Sequence, residues 1–84
     1  MTIDEILNKV KTIISEHFAK DKSGITGGTD LHDELALDSL DGVELIMTLE
    51  DEFQISITDE DAHHVHTVGD VAEYVRRKIE AQED

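Results

Sequence analysis

At 84 residues the chain has room for one small domain, expected to span residues 1–84. A fold of this size buries only ~60% of the surface its unfolded form exposes. With no cysteine in the chain, disulfides and thiolate metal sites are excluded as reinforcement. Acids outnumber bases 21 to 7, for a formal net charge of −14, a field that repels nucleic acid and anionic lipid and draws in basic partners.

The seven bases are Lys9, Lys11, Lys20, Lys22, Arg76, Arg77 and Lys78, so the stretch from Ser23 to Val75 has none while carrying 14 of the 21 acids. Self-repulsion of that kind opposes compaction. Added salt, Mg²⁺ or Ca²⁺ should therefore raise the melting temperature, and a thermal transition insensitive to all three would contradict this. Disorder, the other common fate of acidic chains, is disfavoured by a 38% hydrophobic content set at strict helical periods. The acidic, amphipathic start Met1-Thr2-Ile3-Asp4-Glu5 is unlike a signal peptide. No apolar run approaches the ~20 residues of a membrane span. A monomer of the cytoplasm is expected.

Ile3, Ile6, Leu7, Val10, Ile13, Ile14 and Phe18 form the stripe of a first helix. Thr2 with Glu5 predicts a capping box at its start, and the helix should fade near Ala19 or Lys20. Residues 21–38 then read as a long loop, with Gly24, Gly27 and Gly28 breaking the helical period. Loops this long are unusual unless pinned; Ile25, Leu31, Leu35 and Leu37 are the expected anchors, with room for a short helical turn. Gly27-Gly28 lacks the surroundings of a phosphate-binding loop and is assigned as a turn.

A second helix is expected from Ser39 to Phe53, with Asp38 as its N-cap. Ile46, Leu49 and Phe53, with Leu45 alongside, form an inward stripe. Leu40, Val43 and Met47 repeat the same spacing on a neighbouring face, interleaved with Asp41, Glu44, Glu50 and Asp51. Either both stripes are core, or the second is an exposed apolar strip in an acidic rim, as binding surfaces often are. The residues alone do not decide. Ile55-Ser56-Ile57 alternates like a strand but is too short to make a sheet. Thr58 caps a brief acidic helix reaching about His64, and Thr67 with Asp70 caps a last one. Val68, Val71, Ala72, Val75 and Ile79 give that last helix its buried stripe, with Arg76, Arg77 and Lys78 at its favourable C-terminal end and Glu80 to Asp84 fraying. The expected fold is all-α, a small bundle of three longer helices and one short helix.

Ser39 is the residue that invites a chemical reading. A hydrolase would need a base and an oxyanion hole in a cleft, and Ser39 stands between Asp38 and Leu40 with no Lys, Arg or His nearby in sequence. Nor is any pair of carboxylates marked as buried and unlike in environment. The chain is not expected to be an enzyme. His63, His64 and His66 lack the i, i+3 or i, i+4 spacing that would aim two imidazoles from one helix face, so no metal site is expected there. What remains is a hydroxyl at the positive end of a helix that Asp38 already caps, where a covalently attached phosphate is well placed.

Asp38-Ser39-Leu40 lies inside Asp38-Ser39-Leu40-Asp41-Gly42-Val43-Glu44-Leu45-Ile46-Met47, followed by Leu49-Glu50-Asp51-Glu52-Phe53, Thr67-Val68-Gly69-Asp70 and Tyr74-Val75. At these residues the chain resembles the acyl carrier protein family of the type II fatty-acid and polyketide kind, over nearly its whole length. The resemblance implies 4′-phosphopantetheine on Ser39, installed from coenzyme A by a phosphopantetheinyl transferase (holo-carrier-protein synthase), its thiol carrying acyl groups as thioesters. It implies a partner-docking surface of Asp38, Leu40, Asp41, Val43, Glu44, Met47, Glu50 and Asp51 for acyl-transfer and fatty-acid-synthesis enzymes with basic patches. Leu45, Ile46, Leu49 and Phe53 would face an interior able to sheathe the acyl chain. Ala36, where many fatty-acid carriers have Gly, Gly42 in the first turn, and the histidine patch depart from the family pattern. A carrier dedicated to a secondary-metabolite or peptidyl pathway is the alternative within the family. Outside it, the alternative is an unmodified acidic helical adaptor.

Overall fold

The computed structural model describes residues 1–82. Its helices are α1 (Ile3–Phe18), α2 (Ser39–Phe53), α3 (Asp59–Ala62) and α4 (Val68–Gln82), with a single 3-10 turn at Lys22–Gly24. Three long helices and one short one, with no strand among the described residues, is the architecture the periodicity predicts. No described helix is long and apolar enough to cross a membrane.

The helix starts follow their capping chemistry. Thr2 Oγ1 accepts from the Glu5 amide at 3.2 Å while Glu5 Oε1 accepts from the Thr2 amide at 2.8 Å. At α4 the Thr67 hydroxyl and the Asp70 carboxylate exchange the same pair of bonds, at 3.0 and 3.1 Å. Thr58 caps α3 by accepting from the Asp61 amide. Each such cap contributes about 1 kcal/mol. The far ends of α1 and α2 close on left-handed residues, Ala19 at φ 55° and Gln54 at φ 54°, whose amides return to Ser15 and Glu50.

The core gathers Ile6, Val10, Ile13 and Ile14 of α1, Leu45, Leu49 and Phe53 of α2, and Val68, Val71, Ala72 and Val75 of α4, with Ile25, Leu35, Leu37 and Ile55 from the connections. α1 packs most extensively on α4. Leu7, Phe18, Leu31 and Ile79 are half-buried around that core, and Ile3 is exposed at the helix start. The long loop is pinned as expected, and more firmly than its apolar anchors require. Asp30 bridges Thr67, the Leu31 amide donates to His66, and the amides of Val68 and Gly69 donate to Thr29 and Gly27 at 3.0 and 2.7 Å. Buried Thr29 accepts from the Thr26 amide, so its hydroxyl is satisfied.

Three expectations need correction. α3 ends at Ala62, and His63 and His64 follow it in a turn, because only Thr58 and three acids support its start. α4 remains helical through Gln82, so Glu80 to Gln82 are not frayed; Glu83 and Asp84 lie outside the described residues. Arg76, Arg77 and Lys78 consequently precede the last turn, and they do not serve the helix end. Arg76 instead pairs along the helix with Glu73 and with Glu80 at 2.7 Å.

Ala36 also takes the left-handed conformation, at φ 54°, which accounts for the glycine that resemblance places at this position. Ala36→Gly should raise stability by about 0.5–1 kcal/mol, the relief of the Cβ clash exceeding the entropy glycine adds to the unfolded chain. Urea unfolding measures this, and a lower midpoint in the variant would contradict it.

Candidate functional site

The site begins with how α2 starts. Asp38 is extended, at φ −85°, and its Oδ1 accepts from the Asp41 amide at 2.9 Å, while Asp41 Oδ2 faces the Asp38 amide at 3.3 Å. The helix is thus capped by two carboxylates. Ser39, first residue of the helix, is exposed and takes no part in the cap. Its hydroxyl stands at the end of the helix where unpaired amides concentrate positive potential.

α2 shows different faces to core and solvent. Leu45, Leu49 and Phe53 are buried, and Ile46 is half-buried at their border. On the neighbouring face Leu40 is 72% exposed, Val43 53% and Met47 60%. The choice that the residues left open is thereby decided: the second stripe is a surface strip, because the other two long helices cover only one side of α2. Asp38, Glu44 and Asp51 are exposed around it and Asp41 is half-buried in the cap. Glu50 is half-buried too, and its Oε2 accepts from the Ile57 amide at 3.0 Å, so it also ties the α2–α3 connection down.

Behind Ser39 lies an apolar cavity of about 150 Å³, lined among others by Leu37, Leu45, Ile46, Leu49 and Val75, with Asp38 and Gly42 from the first turn also on its wall. A largely apolar space of about this volume is enough to admit a small hydrocarbon. Its α3–α4 wall is closed by Tyr74, whose hydroxyl donates to Asp61 Oδ2 at 2.6 Å. Burial, together with the Asp61 carboxylate, pushes the Tyr74 phenol up to about 12, and the same hydrogen bond holds Asp61 below the usual carboxylate range. On the outer side, Ser39 shares a second groove with Gly42, Val43, Ile46, Asp59, Ala62 and His63.

Sequence reasoning missed the Tyr74–Asp61 bond, although a lone tyrosine beside the inward Val71 and Val75 is a signal, since a partly buried phenol needs a partner. It weighed His63 as a metal ligand and missed that this residue, remote from Ser39 in sequence, reaches the same groove through the turn after α3. Among the described residues no group of three or more histidines and carboxylates could hold a metal ion.

Comparison with known proteins bears on the chain as a whole. A family profile described as the phosphopantetheine attachment site matches residues 8–75. The chain is 43% identical over 76 residues to the acyl carrier protein of Lactobacillus acidophilus, covering 90% of this chain and 95% of that one. It is likewise 43% identical over 76 residues to the acyl carrier protein of Thermotoga maritima, covering 90% and 94%. The fold superposes on the structure of an acyl carrier protein from Enterococcus faecalis with a TM-score of 0.78 at 40% identity, covering 93% of this chain and 99% of that one. With a capped helix opening on a free serine, an apolar cavity behind it and these likenesses over most of its length, the chain belongs to the acyl carrier protein family, whose prosthetic group is 4′-phosphopantetheine.

Proposed function

We propose that Ser39 carries the phosphopantetheine through its Oγ, and that residues 1–84 form one non-catalytic, monomeric, cytoplasmic carrier domain. The observation that carries this reading is the position of Ser39: exposed, unused by the cap, and in the first turn of α2 beside an apolar cavity. These residues fit the group. The hydroxyl is accessible for attachment, the helix end favours the phosphate charge, and the cavity is lined chiefly by apolar side chains. When bound, the group supplies a terminal thiol on which acyl units are held as thioesters, chemistry that a chain without cysteine cannot supply itself.

The chain's own residues do the rest. Asp38 and Asp41 fix the first turn and so fix where Ser39 points. Leu45, Ile46 and Leu49 line the cavity that would keep an acyl chain from water, with Phe53 packed in the core below them. Leu40, Val43 and Met47, ringed by Asp38, Asp41, Glu44, Glu50 and Asp51, form the docking surface. Its partners are the phosphopantetheinyl transferase and acyl-transfer and fatty-acid-synthesis enzymes bearing basic patches. Charge steers the encounter and the apolar strip holds it.

The test is intact mass before and after incubation with coenzyme A, Mg²⁺ and a phosphopantetheinyl transferase. The wild type should gain one phosphopantetheine and Ser39→Ala none. No gain in the wild type, with a transferase shown to load another carrier, would leave the acidic adaptor as the better reading.

A further inference from the structure

Four of the residues lining the outer groove beside Ser39 come from α2: Ser39 itself, Gly42, Val43 and Ile46. None is charged. The opposite wall is Asp59 and Ala62 of α3 and His63 of the turn that follows. No Lys or Arg occurs between Ser23 and Val75, so His63 is the one lining side chain able to become a cation. Its neighbour His64 stands elsewhere, in a groove with Asp61, Asp70, Glu73 and Arg77.

A phosphodiester on Ser39 would place a permanent negative charge at the head of this groove, in a neighbourhood of like charge. The cap residue Asp38 and Asp41 of α2 flank it, Asp59 lies in the groove, and Glu60 follows Asp59 on α3. The helix end offsets part of that repulsion. A protonated imidazole across the groove offsets more, and a charge-assisted hydrogen bond to phosphate oxygen is among the stronger ones available. Asp59 competes for the same imidazolium. It is exposed at the start of α3, while His63 stands in the turn that follows that helix.

We infer that His63 is the cationic partner of the phosphate attached at Ser39, holding the root of the arm in the α2–α3 groove when protonated and releasing it when neutral. This rests on Ser39 being the attachment residue. The imidazole accepts no acyl group and transfers no proton to the cargo; it is a positioning residue whose hold on the arm depends on pH. Imidazoles change charge between about pH 5 and 8, so the arm's root would be anchored at the acid end of that range and free at the other.

The experiment is ³¹P NMR of the loaded protein across that pH range, for the wild type, His63→Gln and His64→Gln, each first verified by intact mass to carry the group. A phosphodiester has no ionisation of its own there, so movement of its resonance reports a neighbouring titration. The wild type and His64→Gln should show one inflection, and His63→Gln should lose it. A wild-type resonance that does not move, or one that moves equally in His63→Gln, would overturn the pairing while leaving the loading of Ser39 intact. Failure to load at all would appear earlier, in the mass spectrum, and would remove both readings together.

Discussion

Gly69→Ala is expected to destabilise the protein by about 2–3 kcal/mol, a large part of what a domain of this length has to lose. A Cβ at Gly69 would lie 2.7 Å from the Gly27 carbonyl oxygen and 3.3 Å from its carbon. The atoms in the way are backbone, so no rotamer change relieves the clash. The loop must move off α4, and in moving it endangers the Gly69–Gly27 and Val68–Thr29 hydrogen bonds together. Alanine's better helix propensity, worth up to ~1 kcal/mol, returns only part of this. The internal comparison is Gly27→Ala, where the added Cβ would meet Gly69 Cα and Leu7 Cδ2 at 3.9 Å, an ordinary contact. Urea unfolding of both variants decides: equal midpoints would mean that the close approach is not a constraint on the fold.

The second large effect is expected on docking. Met47→Ala combined with Glu44→Lys should lower kcat/KM for transfer from coenzyme A by about 10- to 100-fold, as loss of an apolar anchor and reversal of a steering charge do at other interfaces. Met47 is 60% exposed and Glu44 is exposed beside it. The unfolding free energy should therefore change by no more than about 0.5 kcal/mol. Initial rates at several salt concentrations measure the effect, and the variant should show a weaker salt dependence than the wild type. Rates within twofold of wild type would place the docking surface elsewhere.

The parts of this fold that could be foreseen are those decided within one turn of helix. Thr2 with Glu5 and Thr67 with Asp70 carry their capping chemistry in their spacing, and the structure has both. Asp38 was legible as a cap, but Asp41 returning the bond was not, since a second aspartate at that spacing reads equally well as a surface charge. Contacts set by chain crossing were out of reach. Nothing local says that Gly27 meets Gly69, or that His63 comes round to the groove of Ser39. The exposure of Leu40, Val43 and Met47 belongs to the same class. Their spacing is that of a buried stripe, and only the number of helices available to cover α2 decides otherwise. Ser39 itself was singled out because its neighbours make it redundant as a cap, which is a local property.

The manner in which the long loop is held has a mechanical consequence. Thr29 and Leu31 are laced to the beginning of α4 by backbone bonds, and Leu37 turns back onto Leu31, so the side of the cavity formed by this loop belongs to the same cooperative unit as α1 and α4. The opposite side is different. α3 has four residues, none of them buried, and is fastened chiefly by the Tyr74–Asp61 bond and by Glu50 through Ile57. Segments with few buried contacts open at lower free energy than the body they are attached to. The cavity therefore has one stiff wall and one compliant wall, and a guest longer than the resting space accepts would swell it in a single direction, by displacing α3 outward while the frame beneath Ser39 stays in register.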